Sequence, residues 1–389
     1  MRSFFSVHRS TKLLSDSRFF SAPAKYYAPD FASTSSSKVP RRRWPVVVLG
    51  LTCGVVAFSI YIYNESKPDQ ALNPVNFTPF SLVGKDTISS TSSIFTLQPT
   101  LTVGNSRIYA DAWRKGVWSL QVKQPQLQIA RAYTPLPPTD TDESVPSSAL
   151  RFLIRREPRG EVSGYLHKLP LGATVDLRGP HREYELPENV EEVLFIAGGT
   201  GIAPALQVAH ILLNCRDYAW RNPKMHILWA NRRREDSLGG VSDCPEASKE
   251  VSRSGERRAI DIVMGAKSPS MKYAAPSASP PAAMVKHLDT MKAKSPSNIS
   301  VEYFVDEENS FITDRLLKAH LKNPRIEDEK RQPKDRHPPG IKIVLVSGPD
   351  GFVKHYAGPK AWRSGQEVQG SLGGVLKNII PDGWVVWKL

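Results

Sequence analysis

The chain has 389 residues, of which 40% are hydrophobic and 32 are proline, and a formal net charge of +14; that is length enough for two domains with irregular extensions. The charge is local: residues 1–43 carry a net +7 and Lys249–Lys294 a net +5, which leaves about +2 for the rest and excludes a nucleic-acid-binding face on the folded body. The three cysteines, Cys53, Cys215 and Cys244, have unrelated spacings, which excludes a disulfide framework and a CxxC metal or redox motif.

Met1 to Ser15 holds Arg2, Arg9 and Lys12 among Ser, Phe and Leu with no acidic residue, the composition of a mitochondrial presequence. Residues 1–43 therefore read as an address followed by a basic segment. Trp44 to Tyr63 carries no charge over twenty residues, a helix of about 30 Å and so a single transmembrane span. Trp44, Tyr61 and Tyr63 sit at its ends, where amphipathic rings favour the interface. Arg41, Arg42 and Arg43 retain the N-terminus on the matrix side of the inner membrane. After a linker, 64–75, the body is expected in the intermembrane space.

Residues 76–185 alternate short strand-like runs (SIFTLQP, GVWSLQVKQ, LRFLIRRE) with turn residues and show no helical period, which predicts an antiparallel barrel. Two segments in it carry chemistry. Arg131-Ala132-Tyr133-Thr134 ends a strand and offers a guanidinium, a ring for stacking on a flat heterocycle and a hydroxyl. Gly160-Glu161-Val162-Ser163 reads as a turn opening a helix, whose free N–H groups suit a pyrophosphate.

Residues 186–389 read as a parallel-sheet α/β domain. Val193–Ala197 is an apolar run of the kind covered on both faces, and it leads into Gly198-Gly199-Thr200-Gly201 and a helical pattern. Strands are expected at Met225–Ala230, Val301–Val305, Ile341–Ser347 and near Trp384–Trp387, with a helix over Phe311–Leu321. Residues 236–299 and 324–340, rich in Ser, Pro and Lys, read as disordered insertions.

Taken together, RAYT, GEVS, GGTGIAP and SGP resemble the motifs of the ferredoxin–NADP reductase superfamily, closest to its cytochrome b5 reductase branch. The resemblance implies a β + α/β fold: an antiparallel FAD-binding β-barrel, then a Rossmann-like parallel-sheet nucleotide-binding domain. It implies that Arg131 meets the FAD phosphate, that Tyr133 and Thr134 flank the isoalloxazine, and that Gly160, Val162 and Ser163 line the diphosphate. Arg155 falls at a basic position near the flavin. Glu161 stands where the family usually has lysine. Gly198, Gly199, Thr200 and Gly201 correspond to the nicotinamide-side loop, and Ser347, Gly348 and Pro349 to a CGP segment, with serine in place of cysteine. Asp306 corresponds to the ribose reader, a carboxylate that favours NADH over NADPH, although Arg232, Arg233 and Arg234 offer partners for a 2′-phosphate. No side chain is required as a general acid or base. The presequence, the span and RAYTPL together resemble fungal mitochondrial flavoproteins of cytochrome c import and haem attachment, which implies a haem or haem-protein acceptor. A general NADH–cytochrome b5 reductase and a non-catalytic assembly scaffold holding FAD are the alternatives.

Overall fold

The computed structural model describes residues 71–100, 105–139, 146, 148–215, 222–243, 280–321 and 340–389. The expected presequence and the 44–63 span lie outside these residues. Among the described residues no helix is long and apolar enough to cross a membrane.

The first layer is an antiparallel sheet of β1 (Thr78–Thr87), β2 (Ser92–Pro99), β3 (Gly116–Gln124), β4 (Ile129–Tyr133), β5 (Pro135–Leu136), β6 (Leu150–Arg155) and β7 (Thr174–Glu185), in the order β4-β3-β7-β1-β2-β6-β5. The two end strands are consecutive in the chain. β4 pairs with β3 and β5 with β6, so one segment with Thr134 as its joint closes the sheet on itself. Thr78, Phe80 and Leu82 of β1 are buried in alternation, and Phe80 and Leu82 meet Phe95, Leu120 and Phe152 in the barrel core.

Two helices belong to this layer. α1 (Asn105–Lys115) is a helix in a stretch where only strands and turns were expected. Its buried side is narrow: Tyr109 enters the core, Asn105 Oδ1 accepts the Leu72 N–H at 2.9 Å, and Trp113 packs edge-on against Trp118 at 4.9 Å. So small an apolar stripe in a polar stretch gives little periodic signal. α2 (Glu161–Lys168) opens at Gly160, as the sequence led one to expect.

The second layer is a parallel sheet of β8 (Val190–Gly198), β9 (Lys224–Asn231), β10 (Ile299–Val305), β11 (Ile341–Ser347) and β14 (Trp384–Lys388), in the order β10-β9-β8-β11-β14. A small exposed hairpin, β12 (Ala361–Arg363) with β13 (Gln366–Val368), precedes the last strand. Val193, Phe195 and Ala197 face α3 (Ile202–Asn214) and α4 (Ala283–Lys294); Leu194 and Ile196 face α5 (Asp314–Leu321) and α6 (Asp350–Ala357). Cover on both faces is why these strands are continuous apolar runs.

α4 also corrects the expectation that 236–299 is a disordered insertion throughout. Met284, Val285, Leu288 and Met291 form a buried stripe at helical spacing, which the surrounding Ser/Pro/Ala composition conceals. The start of that stretch is ordered too. Ser242 Oγ accepts the Tyr303 N–H at 2.9 Å and Asp243 Oδ2 the Val301 N–H at 2.8 Å, protecting the edge strand β10.

The layers share a core. Ile94, Val117, Leu136 and Leu153 of the barrel pack with Ala203 and Leu206 of α3. The fully buried Gln207 ties the same helix to the barrel backbone. Its Oε1 accepts the Trp118 N–H at 2.9 Å, and its amide donates to Trp118 O at 3.2 Å and to Pro135 O at 2.8 Å.

Candidate functional site

Arg131, Tyr133, Arg155, Gly160, Val162, Ser163 and Thr200 wall one cleft of about 270 Å³, together with Glu157 and Glu161. Two larger cavities, about 480 and 470 Å³, border α1 and hold none of the expected residues. The smaller cleft is the better candidate because the charged, aromatic and helix-end groups converge there.

Each wall has a local cause. Arg131 and Tyr133 lie on the closing segment of the barrel, Arg131 exposed and Tyr133 half-buried. Burial pushes the Tyr133 hydroxyl up to about 12, with Arg131 opposing and Glu157 reinforcing, so the phenol remains a donor at neutral pH. At α2 no side chain caps the first turn, and the N–H groups of Glu161, Val162 and Ser163 have no intrahelical acceptor. The Ser163 hydroxyl folds back instead, accepting from Glu157 N at 3.2 Å and donating to Gly160 O at 3.3 Å. A Cβ on Gly160 would lie 2.3 Å from that Oγ, which explains the glycine. A guanidinium, a neutral phenol and an uncapped helix start form a donor set that fits a dinucleotide carrying a flat ring and a pyrophosphate. Thr134 sits half-buried at the joint between β4 and β5, outside the cleft wall.

The parallel sheet contributes the other side. Its chain runs from β8 outward to β9 and β10, then returns to β11 on the opposite flank of β8. The switch point therefore lies between β8 and β11, where open α/β sheets bind ligands beyond the carboxyl ends of their strands. The Gly198–Gly201 turn and the Ser347–Pro349 turn meet there. A Cβ on Gly201 would fall 2.4 Å from Ser347 O, and one on Gly348 would fall 3.1 Å from Gly198 Cα. Gly199 has φ +54°, and its carbonyl accepts the Trp229 indole N–H at 2.9 Å. The side chain of Ser347 is buried at the end of β11, while Gly348 and Pro349 are partly or fully open to solvent.

Asp306 is exposed in the turn after β10, apart from the cleft. Two of the neighbouring arginines are already engaged. Arg234 forms a two-pronged pair with Glu308, and its N–H donates to Glu307 Oε1 at 2.5 Å. Arg233 pairs with Glu235 and donates to Ser90 Oγ at 3.0 Å. The Arg234 guanidinium holds the Glu308 carboxyl below the usual carboxylate range.

Two residues went unnoticed in the sequence. Gln207 is the one amide inside an otherwise apolar turn of α3, a signal that was legible. Asp236, which receives Arg155 across the two layers at 2.5 Å, lay inside the presumed insertion, and nothing in the local sequence marks it.

Comparison with known proteins bears on both layers. Residues 79–186 match an oxidoreductase FAD-binding domain and residues 195–249 an oxidoreductase NAD-binding domain. An uncharacterised FAD-binding protein of Schizosaccharomyces pombe is 30% identical over 45% of this chain and 61% of its own. An NADH-cytochrome b5 reductase of Emericella nidulans is 28% identical over 54% of this chain and 67% of its own. A cytochrome c mitochondrial import factor of Saccharomyces cerevisiae is 29% identical over 37% of this chain and 42% of its own. The chain thus spans between two fifths and two thirds of these relatives.

Proposed function

We propose, from the matches to an oxidoreductase FAD-binding domain and an oxidoreductase NAD-binding domain, a reductase of the ferredoxin–NADP reductase type that takes hydride from NADH and passes electrons through FAD to a haem acceptor. The observation that carries this reading is the cleft itself. Residues from the RAYT strand and the GEVS helix start share one wall with Thr200 of the glycine turn.

FAD supplies the ability to accept a hydride and release its electrons singly. The chain supplies the rest. Arg131 and the first-turn N–H groups of α2 hold the pyrophosphate, and the Tyr133 ring and hydroxyl hold the flat heterocycle. Thr200 and the interlocked glycine turns present the nicotinamide, and the buried junction of the two layers excludes water. NADH is the preferred donor because the turn after β10 is acidic, with Asp306, Glu307 and Glu308 in succession, and Arg233 and Arg234 are committed to carboxylates. Electrostatic repulsion then acts on a 2′-phosphate, while Asp306 accepts from ribose hydroxyls.

The acceptor follows from the relatives and the N-terminal sequence. Likeness to a cytochrome c mitochondrial import factor, the acid-free presequence and the uncharged run 44–63 support a protein anchored in the mitochondrial inner membrane. Its body faces the intermembrane space and supports haem attachment to cytochrome c. Likeness to NADH-cytochrome b5 reductases supports a second reading, a general cytochrome b5 reductase. The visible spectrum of the purified chain before and after anaerobic NADH is the direct test. A yellow protein that bleaches is expected, and a chain that stays colourless when supplied with FAD overturns the proposal. Faster electron delivery to haem than to cytochrome b5 separates the two acceptors.

A further inference from the structure

Arg155 stands at the end of β6, where the barrel meets the glycine turn, and it walls two spaces at once. On one side is the cleft with Tyr133, Ser163 and Thr200; on the other is a void of about 10 Å³ with Gly199, Asn231 and Asp236. Its Nη2 donates to Asp236 Oδ2 at 2.5 Å, with side-chain exposures of 17% and 7%. The other carboxylate oxygen accepts from Ser89 Oγ at 2.7 Å and Ser92 Oγ at 3.3 Å. One carboxylate of the nucleotide-binding layer therefore gathers three donors from the barrel. On its far side the guanidinium packs over the glycine turn, since a Cβ on Gly199 would lie 3.7 Å from Nη1.

One atom is unaccounted for. Arg155 Nε is buried and has no acceptor among the described residues. A guanidinium is planar and rigid, so fixing Nη2 fixes the direction of every other N–H. A buried ion pair is weak as a stabilising device, because desolvation offsets much of the attraction. What it does provide is a defined geometry, here at a side chain that borders the cleft.

We propose that Asp236 is a positioning residue: by holding Arg155 across the two layers it sets the height of the Gly199–Thr200 turn over the flavin-binding strand and turns the remaining guanidinium donors toward the bound nucleotides. This rests on the reductase reading above. Hydride transfer depends steeply on the approach of two rings, and a misplacement of about 1 Å can cost about a hundredfold. A residue that touches neither ring therefore controls the rate through Arg155.

The test uses the full chain with Asp236→Asn, Asp236→Glu and the pair Ser89→Ala with Ser92→Ala. Asp236→Asn keeps the shape and removes the charge. It is expected to retain FAD, to shift the flavin visible band, and to slow bleaching at saturating NADH about tenfold or more, with a smaller change in KM. Asp236→Glu restores part of the rate. Without flavin, hydrogen exchange at the Gly199 and Thr200 amides rises in Asp236→Asn. If Asp236→Asn fails to fold, the serine pair, which leaves the ion pair in place, still slows bleaching a few-fold at unchanged FAD content. Wild-type bleaching rate and amide protection in Asp236→Asn, or in the serine pair where it is the variant used, overturn the positioning role. A wild-type chain that holds FAD but never bleaches under NADH overturns the reductase reading instead.

Discussion

Arg131 is the cationic side chain proposed for the pyrophosphate, and it borders the cleft from an exposed strand end with, among the described residues, only a 3.3 Å contact to its neighbour Ala130 O. It is therefore free to turn to an anion without breaking a stabilising pair. Removing a charge-assisted hydrogen bond costs about 1.5–3 kcal/mol, so Arg131→Ala is expected to weaken FAD affinity about tenfold to a hundredfold at unchanged folding stability, measured by flavin fluorescence titration. The acidic turn after β10 makes a second prediction at this scale. Replacing Asp306 by Ser and Glu308 by Ala removes two carboxylates and releases Arg234, so the ratio of NADPH to NADH use, read as kcat/KM, is expected to rise about tenfold or more.

At the scale of elements, the junction between β3, β5 and α3 decides whether the two layers hold one geometry. Gln207 satisfies three backbone groups there, all buried. Gln207→Leu keeps the size of the side chain and strands those groups, each at about 1–3 kcal/mol. The variant is expected to lose about 3 kcal/mol or more in urea unfolding. Much of this junction was hard to read in sequence, because an amide partner on another layer leaves no periodic trace. The strands were legible for the opposite reason: Val193–Ala197 and Ile343–Val346 are buried on both faces, and nothing polar interrupts them. α1 and α4 were not, since each buries only a narrow stripe and is set in polar or low-complexity sequence.

For the whole molecule, acid is the revealing stress. Burial lowers the pKa of His167, His181 and His226 below the ordinary 6.5; at His226, His320 and Lys224 add to the lowering, while Glu192 and Glu302 oppose it. Above pH 6.5 these rings are neutral in both folded and unfolded chains. As pH falls through that value the unfolded chain takes up protons that the folded chain refuses, so stability declines. The melting temperature is expected to fall between pH 7 and pH 5, and His226→Gln is expected to flatten that slope. His226 lies near the amino ends of the parallel strands, its Nδ1 at 2.6 Å from Ser300 Oγ, at the opposite end of the sheet from the glycine turn. Acid destabilisation through it therefore acts on the fold and leaves the glycine-turn end intact until unfolding.

By itself the sequence determined the two-layer order, the apolar strands and the motif residues at strand and helix ends, because each of these is a local demand on the backbone or on burial. RAYT had to end a strand to present its side chains, and glycine had to occupy positions where a Cβ would strike the next turn. Only the tertiary structure decided that Arg155 is shared with Asp236, that Gln207 joins α3 to the barrel, and that Arg233 and Arg234 are spent on carboxylates. The pairings of Arg155, Gln207 and Arg234 join residues 72 to 89 positions apart, and Arg233 also meets Ser90 across 143. At such separations the chain's own period carries no information, and partners are set by how two packed surfaces meet.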